Sequence, residues 1–360
     1  MPRVLTVNAG SSSLKLRLLD SDDALAGEEE LDATRGRADA DQLAAALERL
    51  DGADAVAHRI VHGGTRFTGP VRLDPAVERE LRALTPLAPL HQPAALDALD
   101  AVTRARPDLP AIACFDTAFH AGLPPAAATY ALPRAWRERH GLRRFGFHGL
   151  SHAYAARRAA ELLGGGDPRV VTCHLGAGAS LAAVRGGRSV DTTMGFTPVE
   201  GLVMATRSGS VDPGLLLWLL QYGGHAVDEV SDALEHGAGL RGLAGTADMR
   251  EVLGRTDEAA VLARDVYVHR LRALIAAMAA ALDGLDALVF TGGVGEAAAP
   301  IRAAAADGLG FLGVAIDHGA NAAATPDAEI GAPGAPVRTL VIRAREDLEM
   351  ARQVRAVLEA

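Results

Sequence analysis

The sequence has few of the features that mark several large classes of protein. It contains two cysteines, Cys114 and Cys173, each inside an apolar run, so we expect two buried, reduced thiols and no disulfide framework. Aromatic residues make up only 4% of the chain, and the many alanines predict helices packed closely through small side chains. The longest uncharged apolar run, 273–282, is about half as long as a membrane span requires. We therefore expect no membrane-spanning segment.

Positive charge is also scarce. The 36 Lys and Arg residues are outnumbered by 45 Asp and Glu residues, which gives a net charge of −9 and no footprint for nucleic acid or an anionic membrane. The first residues lack the basic and apolar regions of a signal peptide, which indicates a cytoplasmic protein. With 360 residues, of which 49% are hydrophobic, the chain is long enough for two domains.

The most informative stretch is 170–214. An apolar run ends in the small-residue turn Gly176-Ala177-Gly178, a second alternating run follows, and a guanidinium arrives with Arg207. A tight turn between two strands points backbone N–H groups outward and suits a phosphate. The stretch thus predicts either an anion-binding hairpin or an ordinary glycine-turned hairpin.

The N-terminus repeats this plan. Aligning Ser13-Leu14 with Ser180-Leu181 superimposes two turns of small residues, which suggests two related halves. Asn8, Ser11, Ser13 and Lys15 place an amide, two hydroxyls and an ammonium around the first turn, a set suited to phosphate oxygens and hydrated Mg²⁺, or else to a polar surface turn. A P-loop is excluded because GxxxxGK[ST] is absent and strand-like alternation follows the turn.

Two other patterns compete with this interpretation. His58 and His62 have the i, i+4 spacing of zinc ligands on a helix, but the Val/Ile content and the Gly-Gly that follows favour a strand. The segment 293–298 matches GxGxxA, and Asp317 follows at a distance suited to a ribose contact, so a dinucleotide-binding oxidoreductase is a rival hypothesis. That hypothesis leaves the two phosphate-suited hairpins unexplained.

Polar residues at the ends of predicted strands and helices are candidate functional residues. Asp116 follows the apolar run AIACF, where it is either a functional carboxylate or a cap of the next turn. His148 precedes a helix predicted from near Ser151, where it either faces an anion or is a structural histidine. The segment 287–309 predicts a strand, a glycine loop and a helix, an arrangement that suits a nucleotide. A final strand is followed by an amphipathic helix from about Glu346.

Taken in order, these segments resemble those of the acetate kinase family, within the acetate and sugar kinase/Hsc70/actin superfamily. The resemblance covers nearly the whole chain and rests on VNAGSSSLK, HRIVHGG, PLAPLHQP, FDTAFH, RRFGFHGLSH, HLGAGAS, SVDTTMGFTPVEGLVMATRSG, FTGGVGE and EDLEMA. It implies an α/β fold of two duplicated actin-like ATPase (ribonuclease H-like) domains with an active-site cleft between them. The expected boundaries are 1–150, completed by a helix at about 346–360, and 151–345 for the nucleotide-binding domain.

The resemblance further implies reversible phosphoryl transfer from ATP to acetate, which gives acetyl phosphate and ADP, in a homodimer. It assigns Mg²⁺, with Mn²⁺ as the alternative, to Asn8 and Glu346. Catalysis falls to Asp116, His148 and Arg207, with Asp116 expected mainly to orient an arginine. The residues implied for the acyl substrate are Arg59, Val61, Leu90, His91, Phe147 and Pro198.

The nucleotide residues implied by the resemblance lie mostly in the second half. They are Lys15, His174, Leu175, Gly176, Ala177, Gly178, Asp248, Met249, Arg250, Gly292, Gly293, Val294, Gly295 and Glu296. Val61 favours acetate over propionate, although one methylene is worth only about 1–3 kcal/mol.

The sequence also departs from the family pattern on the nucleotide side. Ala177 and Ala297 each replace an Asn, Ala344-Arg345 replaces Thr-Asn, and the chain is shorter between Lys15 and Arg59. These changes leave three alternatives open: another short-chain carboxylate as acceptor, pyrophosphate or another nucleotide as donor, and a nucleotide-binding protein without turnover.

Overall fold

The structure is a computed structural model that describes residues 1–10, 13–34, 37–89 and 91–360. Runs of alternating or continuous apolar residues form its strands, as the sequence predicts. The strands are β1 (Val4–Ala9), β2 (Ser13–Leu19), β3 (Leu25–Thr34), β4 (Arg37–Ala38), β5 (Ala55–Ile60), β6 (Val71–Arg72), β7 (Ala111–Phe115), β8 (Arg169–Leu175), β9 (Ala179–Arg185), β10 (Arg188–Thr192), β11 (Ala287–Thr291), β12 (Ala328–Glu329) and β13 (Arg338–Val341).

The helices begin at polar caps or prolines in many cases; Asp39, Asp74 and Asp257, for example, each accept hydrogen bonds from first-turn N–H groups. The helices are α1 (Ala40–Arg49), α2 (Pro75–Ala83), α3 (Gln92–Ala105), α4 (Pro125–Ala128), α5 (Arg134–His140), α6 (Gly149–Leu162), α7 (Pro213–Gln221), α8 (Val227–Asp232), α9 (Gly239–Ala244), α10 (Met249–Gly254), α11 (Glu258–Ala281), α12 (Gly292–Ala297), α13 (Ala299–Asp307), α14 (His318–Ala323) and α15 (Glu346–Glu359).

Packing divides the described chain into two units. The first comprises Met1–Ala121, Phe147–Tyr154 and Arg345–Ala360, and the second comprises Gly122–Gly146 and Ala155–Ala344. The C-terminal helix α15 therefore belongs to the same unit as the N-terminal strands.

The two units contain sheets of the same plan. The first sheet has the order β4-β3-β2-β1-β5-β7-β6 and the second has the order β10-β9-β8-β11-β13-β12. In each sheet, three strands that are consecutive in sequence pair antiparallel. The first of the three also pairs in parallel with a further strand, β5 or β11, and that strand pairs in parallel with β7 or β13. The repeat inferred from two short hairpins is thus present throughout both sheets.

Strand periodicity gives the first sheet two different faces. Ala55 and Ala57 of β5 pack with Met350 of α15, whereas Val56 packs on the opposite side with α1 and α3. Because side chains alternate, polar residues in phase with Ala55 and Ala57 lie on the face covered by α15. The residues of the candidate site lie on this face of the first sheet.

One sequence expectation about secondary structure is wrong. The segment after β11 forms no glycine loop, because α12 begins at Gly292 directly after Thr291. The Glu296 carboxylate accepts hydrogen bonds from the N–H groups of Gly292, at 3.2 Å, and Ala344, at 2.9 Å. These bonds hold the glycines in a helical turn despite their low helix propensity.

No helix among the described residues combines the length and apolar character needed to cross a bilayer. The buried core does contain histidine. His58 of β5 is 1% exposed, and its Nε2 has no hydrogen-bond partner in the described part of the chain. Burial lowers the pKa of His58 to about 3.

We expect His58 to make stability depend on pH. Between pH 6.5 and about 3 the unfolded chain binds a proton that the folded chain excludes, so the free energy of unfolding falls as pH is lowered through this range. His58→Leu should reduce the slope of that free energy near pH 5 by about 1.4 kcal/mol per pH unit. Urea unfolding from pH 4.5 to 7.5 measures both slopes, and equal slopes would contradict the prediction.

Candidate active site

Three parallel strands of the first unit bring polar side chains to one face. Asn8 on β1, Arg59 on β5 and Asp116 just after β7 are each in phase with the residues that pack on α15. The first residue of α15 is Glu346. Four residues that are far apart in sequence therefore meet at the carboxyl ends of the central strands, a usual position for ligand sites in α/β sheets.

Arg59 is the centre of this group. Its Nη2 donates to Asp116 Oδ2 at 2.6 Å, its Nε donates to both Asp116 oxygens at 3.2 Å, and its Nη1 donates to Asn8 Oδ1 at 3.0 Å. The side chains of Arg59 and Asp116 are 18% and 2% exposed. Burial by itself lowers the pKa of Arg59, but the Asp116 and Glu346 carboxylates outweigh it and raise that pKa above its usual value. The guanidinium is permanently charged and fixed in direction.

The Arg59 guanidinium keeps donors for a further anion. Among the described residues, Asp116 and Asn8 use three of its five N–H groups, which leaves one N–H on each terminal nitrogen. A planar fork of this kind suits a carboxylate. Asn8 completes the arrangement, because its Nδ2 donates to Glu346 Oε2 at 3.3 Å.

The loop that carries His148 is attached to the Asp116 loop by its backbone. The Gly149 N–H donates to the Asp116 carbonyl at 2.9 Å, and a Cβ at position 149 would lie 2.2 Å from that oxygen. Only glycine permits this approach. His148 itself has a φ of +56° and immediately precedes α6, and a side chain held at positive φ is a strained conformation typical of functional positions.

The positive φ of His148 should therefore lower the stability of the folded chain. We expect His148→Gly to be more stable than His148→Ala by about 1–2 kcal/mol, because glycine adopts positive φ without a Cβ penalty. Both variants also remove the imidazole, so both should lose any activity that the resemblance assigns to His148. Thermal unfolding and turnover of the pair test this, and a more stable alanine variant would show that strain is absent.

The positions implied for an acyl pocket are distributed over both units. Phe147 is 1% exposed and makes an edge contact with His62, whose ring centroid is 5.6 Å away. His91 precedes α3, and Val61 follows β5. Pro198 lies in the second unit, and Leu90 lies outside the described residues.

Arg207 lies in a loop of the second unit. Its Nη1 donates to the Pro198 carbonyl at 3.4 Å and contacts Met204 Sδ at 3.9 Å. Burial lowers the pKa of Arg207, and the Glu235 carboxylate opposes this shift. The same loop contacts the predicted phosphate turn, because the Ala205 N–H donates to the Ala177 carbonyl at 3.1 Å.

The strands on either side of each predicted phosphate turn pair antiparallel, β1 with β2 and β8 with β9. The Gly10 N–H donates to the Ser13 carbonyl at 2.8 Å, and the Gly176 N–H donates to the Gly178 carbonyl at 3.0 Å. Lys15 pairs with Glu30 at 3.5 Å, and Ser11 lies outside the described residues. His174 and Leu175 end β8, with the Leu175 side chain fully buried, so only its backbone is available to a ligand.

The remaining nucleotide candidates lie at two helix starts of the second unit. Asp248 precedes α10 and accepts hydrogen bonds from the Arg250 side chain, which lower the pKa of Asp248 to about 2. Met249 is 5% exposed, so its side chain belongs to the core. Four of the other candidates, Gly292, Gly293, Val294 and Gly295, form the first turns of α12 with Glu296.

This geometry can be compared with known proteins. The model of the acetokinase family matches residues 34–352. This chain belongs to the acetokinase family. It is 47% identical to an acetate kinase of Leifsonia xyli over 390 aligned residues that cover 98% of both chains. An acetate kinase of Synechococcus is 51% identical over 310 residues, which cover 84% of this chain and 76% of that one.

Solved structures agree with the family and with the expected α/β fold of duplicated domains. The crystal structure of Porphyromonas gingivalis acetate kinase matches with a TM-score of 0.90 and 33% identity, covering 99% of this chain and 100% of that one. A propionate kinase from Francisella tularensis matches with a TM-score of 0.89 and 34% identity, covering 98% and 99%. As an acetokinase, the chain is a phosphotransferase with a carboxyl group as acceptor.

One cluster of this acetokinase escaped the sequence analysis. Tyr130 donates to Glu200 Oε2 at 2.5 Å and accepts from the Phe196 N–H at 2.8 Å, while Arg144 donates to Glu200 Oε1 at 2.6 Å. Arg144 also donates to the Thr193 and Met194 carbonyls. These bonds fasten the loop that carries Pro198. The sequence signal was the arginine pair within RRFGFHG, but nothing in it named the partners.

Proposed function

We propose that this chain transfers the terminal phosphoryl group of ATP to acetate. An acetate oxygen forms a bond to the γ-phosphorus as the bond to the β,γ-bridging oxygen breaks, which yields acetyl phosphate and ADP without net proton transfer. The acetate is already ionised at neutral pH, so no general base is needed. The task of the site is to bring two anions together.

The observation that carries this proposal is the fixed Arg59 fork. Its two remaining N–H groups suit the acetate carboxylate, and the bonds to Asp116 and Asn8 set their direction. Val61, His91 and Phe147 would bind the methyl side of the acyl group. In this assignment Asp116 orients Arg59.

The other charged candidates suit the transferring phosphoryl group. Arg207 and His148 would stabilise its equatorial oxygens, where negative charge is concentrated during transfer. The glycine turn 176–178 and the 292–296 turn of α12 would bind the donor nucleotide through backbone groups. Lys15 would leave Glu30 to bind a donor phosphate.

The oxygen donors of Asn8 and Glu346 fit Mg²⁺, which takes one or two protein oxygens and retains several waters. The two side chains are already hydrogen-bonded to each other, so both could hold a hydrated ion. When bound, Mg²⁺ neutralises charge on the donor phosphates. We also propose that the enzyme acts in the cytoplasm, where its two buried free thiols would stay reduced.

Trapping acyl phosphate as the hydroxamate tests the reaction. We expect product from Mg-ATP with acetate, less with propionate because of Val61, and still less with butyrate. Pyrophosphate with acetate forms a parallel arm, since Ala177 and Ala297 alter the nucleotide side. A folded protein that binds nucleotide but forms no product from any pair would contradict the proposal and favour a binding protein.

We further propose a homodimer formed through α7. This helix has no buried residue, and six exposed large apolar side chains lie on it or next to it: Val211, Leu215, Leu217, Trp218, Tyr222 and Val227. An apolar patch of this density on a protein surface is typical of an interface. A second copy of the chain would cover it by presenting the same helix.

Trp218→Glu should convert this dimer to a monomer, because it places a charge inside the apolar contact. Phe311→Glu is the matched control, since Phe311 is 74% exposed and lies outside the patch. Sedimentation of both variants measures the masses. A monomeric parent chain, or dissociation of both variants, would contradict an interface at α7.

A further inference from the structure

The loop that carries Arg207 is hydrogen-bonded to the backbone of residues 233–241, a segment that we call the seat. This segment begins with a π-helical turn, Ala233–Gly237, and continues into α9. Single π turns are rare and are frequently found at functional sites. Here the turn lies directly against the residues on either side of Arg207.

The first set of bonds comes from the π turn. Thr206 Oγ1 donates to the Glu235 carbonyl at 2.8 Å, and the Ser208 N–H donates to the Leu234 carbonyl at 3.1 Å. A π turn shifts backbone bonding by one residue from the α pattern, which leaves carbonyls available to groups outside the helix. Both chain neighbours of Arg207 are thereby held.

The second set comes from the start of α9, which has no side-chain cap. The N–H groups of Ala238, Leu240 and Arg241 donate to three successive carbonyls, those of Thr206, Met204 and Ala205, at 2.9 to 3.0 Å. The Arg207 loop therefore satisfies the N–H groups that a helix normally leaves unpaired at its first turn. Any shift of the loop would break several of these bonds together.

Gly239 permits this close approach. It has a φ of +62°, and a Cβ there would lie 2.1 Å from the Met204 carbonyl oxygen and 2.7 Å from that of Arg207. The opposite side of the loop is bonded to the phosphate turn through the Ala205 N–H and the Ala177 carbonyl. The seat thus fixes Arg207 relative to the turn proposed to bind the donor phosphates.

We propose that Thr206 and Gly239 are positioning residues for Arg207, and that the π turn exists to align its guanidinium with the transferring phosphoryl group. This inference rests on the role proposed for Arg207. A misplaced guanidinium would lose interactions made in the transition state, so turnover should suffer more than substrate binding. The two residues act through Arg207 and touch no substrate.

Removing one hydroxyl tests the seat with little change in volume. Thr206→Val should lower kcat about tenfold while the KM for acetate and ATP and the melting temperature stay close to those of the parent, because small misplacements of a reacting group are costly in rate. Thr206→Ser keeps the hydroxyl and should retain parental kcat. That rescue separates a role of the Oγ1 bond from general packing.

A glycine pair gives a second, independent arm. Gly239→Ala should lower kcat about 100-fold, whereas Gly245→Ala should leave it within about twofold, since Gly245 ends α9 at a similar φ of +75° and a Cβ there meets nothing within 4 Å. A Cβ at Gly237 also meets nothing within 4 Å, so Gly237→Ala controls for substitution in the π turn.

The outcomes separate the inference from the proposed function. An inactive parent chain contradicts the function, and with it the role of Arg207. If the parent chain is active, three results would overturn the role of the seat while the function stands. The first is a parental kcat in Thr206→Val, and the second is a kcat in Thr206→Ser as low as that in Thr206→Val. The third is an equal loss of kcat in Gly239→Ala and Gly245→Ala.

Discussion

Replacing Arg207 by alanine is expected to lower kcat for acetyl phosphate formation by about 1,000-fold. An arginine that meets the transferring phosphoryl group is worth roughly 10³ or more in rate. The side chain donates to the Pro198 carbonyl at 3.4 Å, and thermal unfolding of the variant measures any loss of stability separately from the loss of rate. Coupled detection of ADP in steady-state assays measures the effect.

Two further variants sharpen this test. Arg207→Lys keeps the charge but loses the planar fork and should recover only part of the rate. Arg134→Ala removes an arginine side chain that is 82% exposed and should leave kcat unchanged. A kcat for Arg207→Ala within tenfold of the parent would contradict a transition-state role.

Asp116→Asn is expected to impair both stability and acetate binding. The substitution removes the carboxylate that is hydrogen-bonded to the Arg59 guanidinium, whose side chain is 18% exposed. Breaking such a pair costs about 3–5 kcal/mol. Arg59 would also lose its fixed direction, so we expect kcat/KM for acetate to fall by about 10²-fold or more. Urea unfolding and initial rates measure the two effects.

An exposed ion pair provides the matched control. Asp100 pairs with Arg82 at 2.6 Å with side chains 27% and 46% exposed, and Asp100→Asn should cost less than about 1 kcal/mol with no loss of activity. Adding Arg59→Leu to Asp116→Asn should restore much of the stability but none of the activity, because the unpaired charge is gone. Equal effects of the Asp116 and Asp100 substitutions would show that burial of the Arg59 pair is unimportant.

Much of the first unit's site follows from strand phase. Alternation along β1 and β5 puts Asn8 and Arg59 on the same face as Ala57, and the predicted end of β7 puts Asp116 beside them. Parallel strands end at one edge of a sheet, so these residues meet once the strand order is known. The order itself joins segments more than 50 residues apart.

The parts missed by the sequence analysis share one property. The π turn beneath Arg207, the contact of Gly149 with the Asp116 carbonyl and the Tyr130–Glu200 bond all join backbone or side-chain groups distant in the chain. Each of these groups could satisfy its hydrogen bonds in several local ways. The start of α12 at Gly292 was missed for the same reason, because the Glu296 carboxylate that stabilises this helix also accepts a hydrogen bond from the remote Ala344 N–H.

The sequence by itself determined the family, the duplicated α/β plan and the residue types of the site, because periodicity and short motifs are local properties of the chain. The tertiary structure alone decided which way the Arg59 fork points, how Arg207 is seated and why positions 149 and 239 need glycine. Those properties depend on distances between remote carbonyls and N–H groups, and only the folded chain sets such distances.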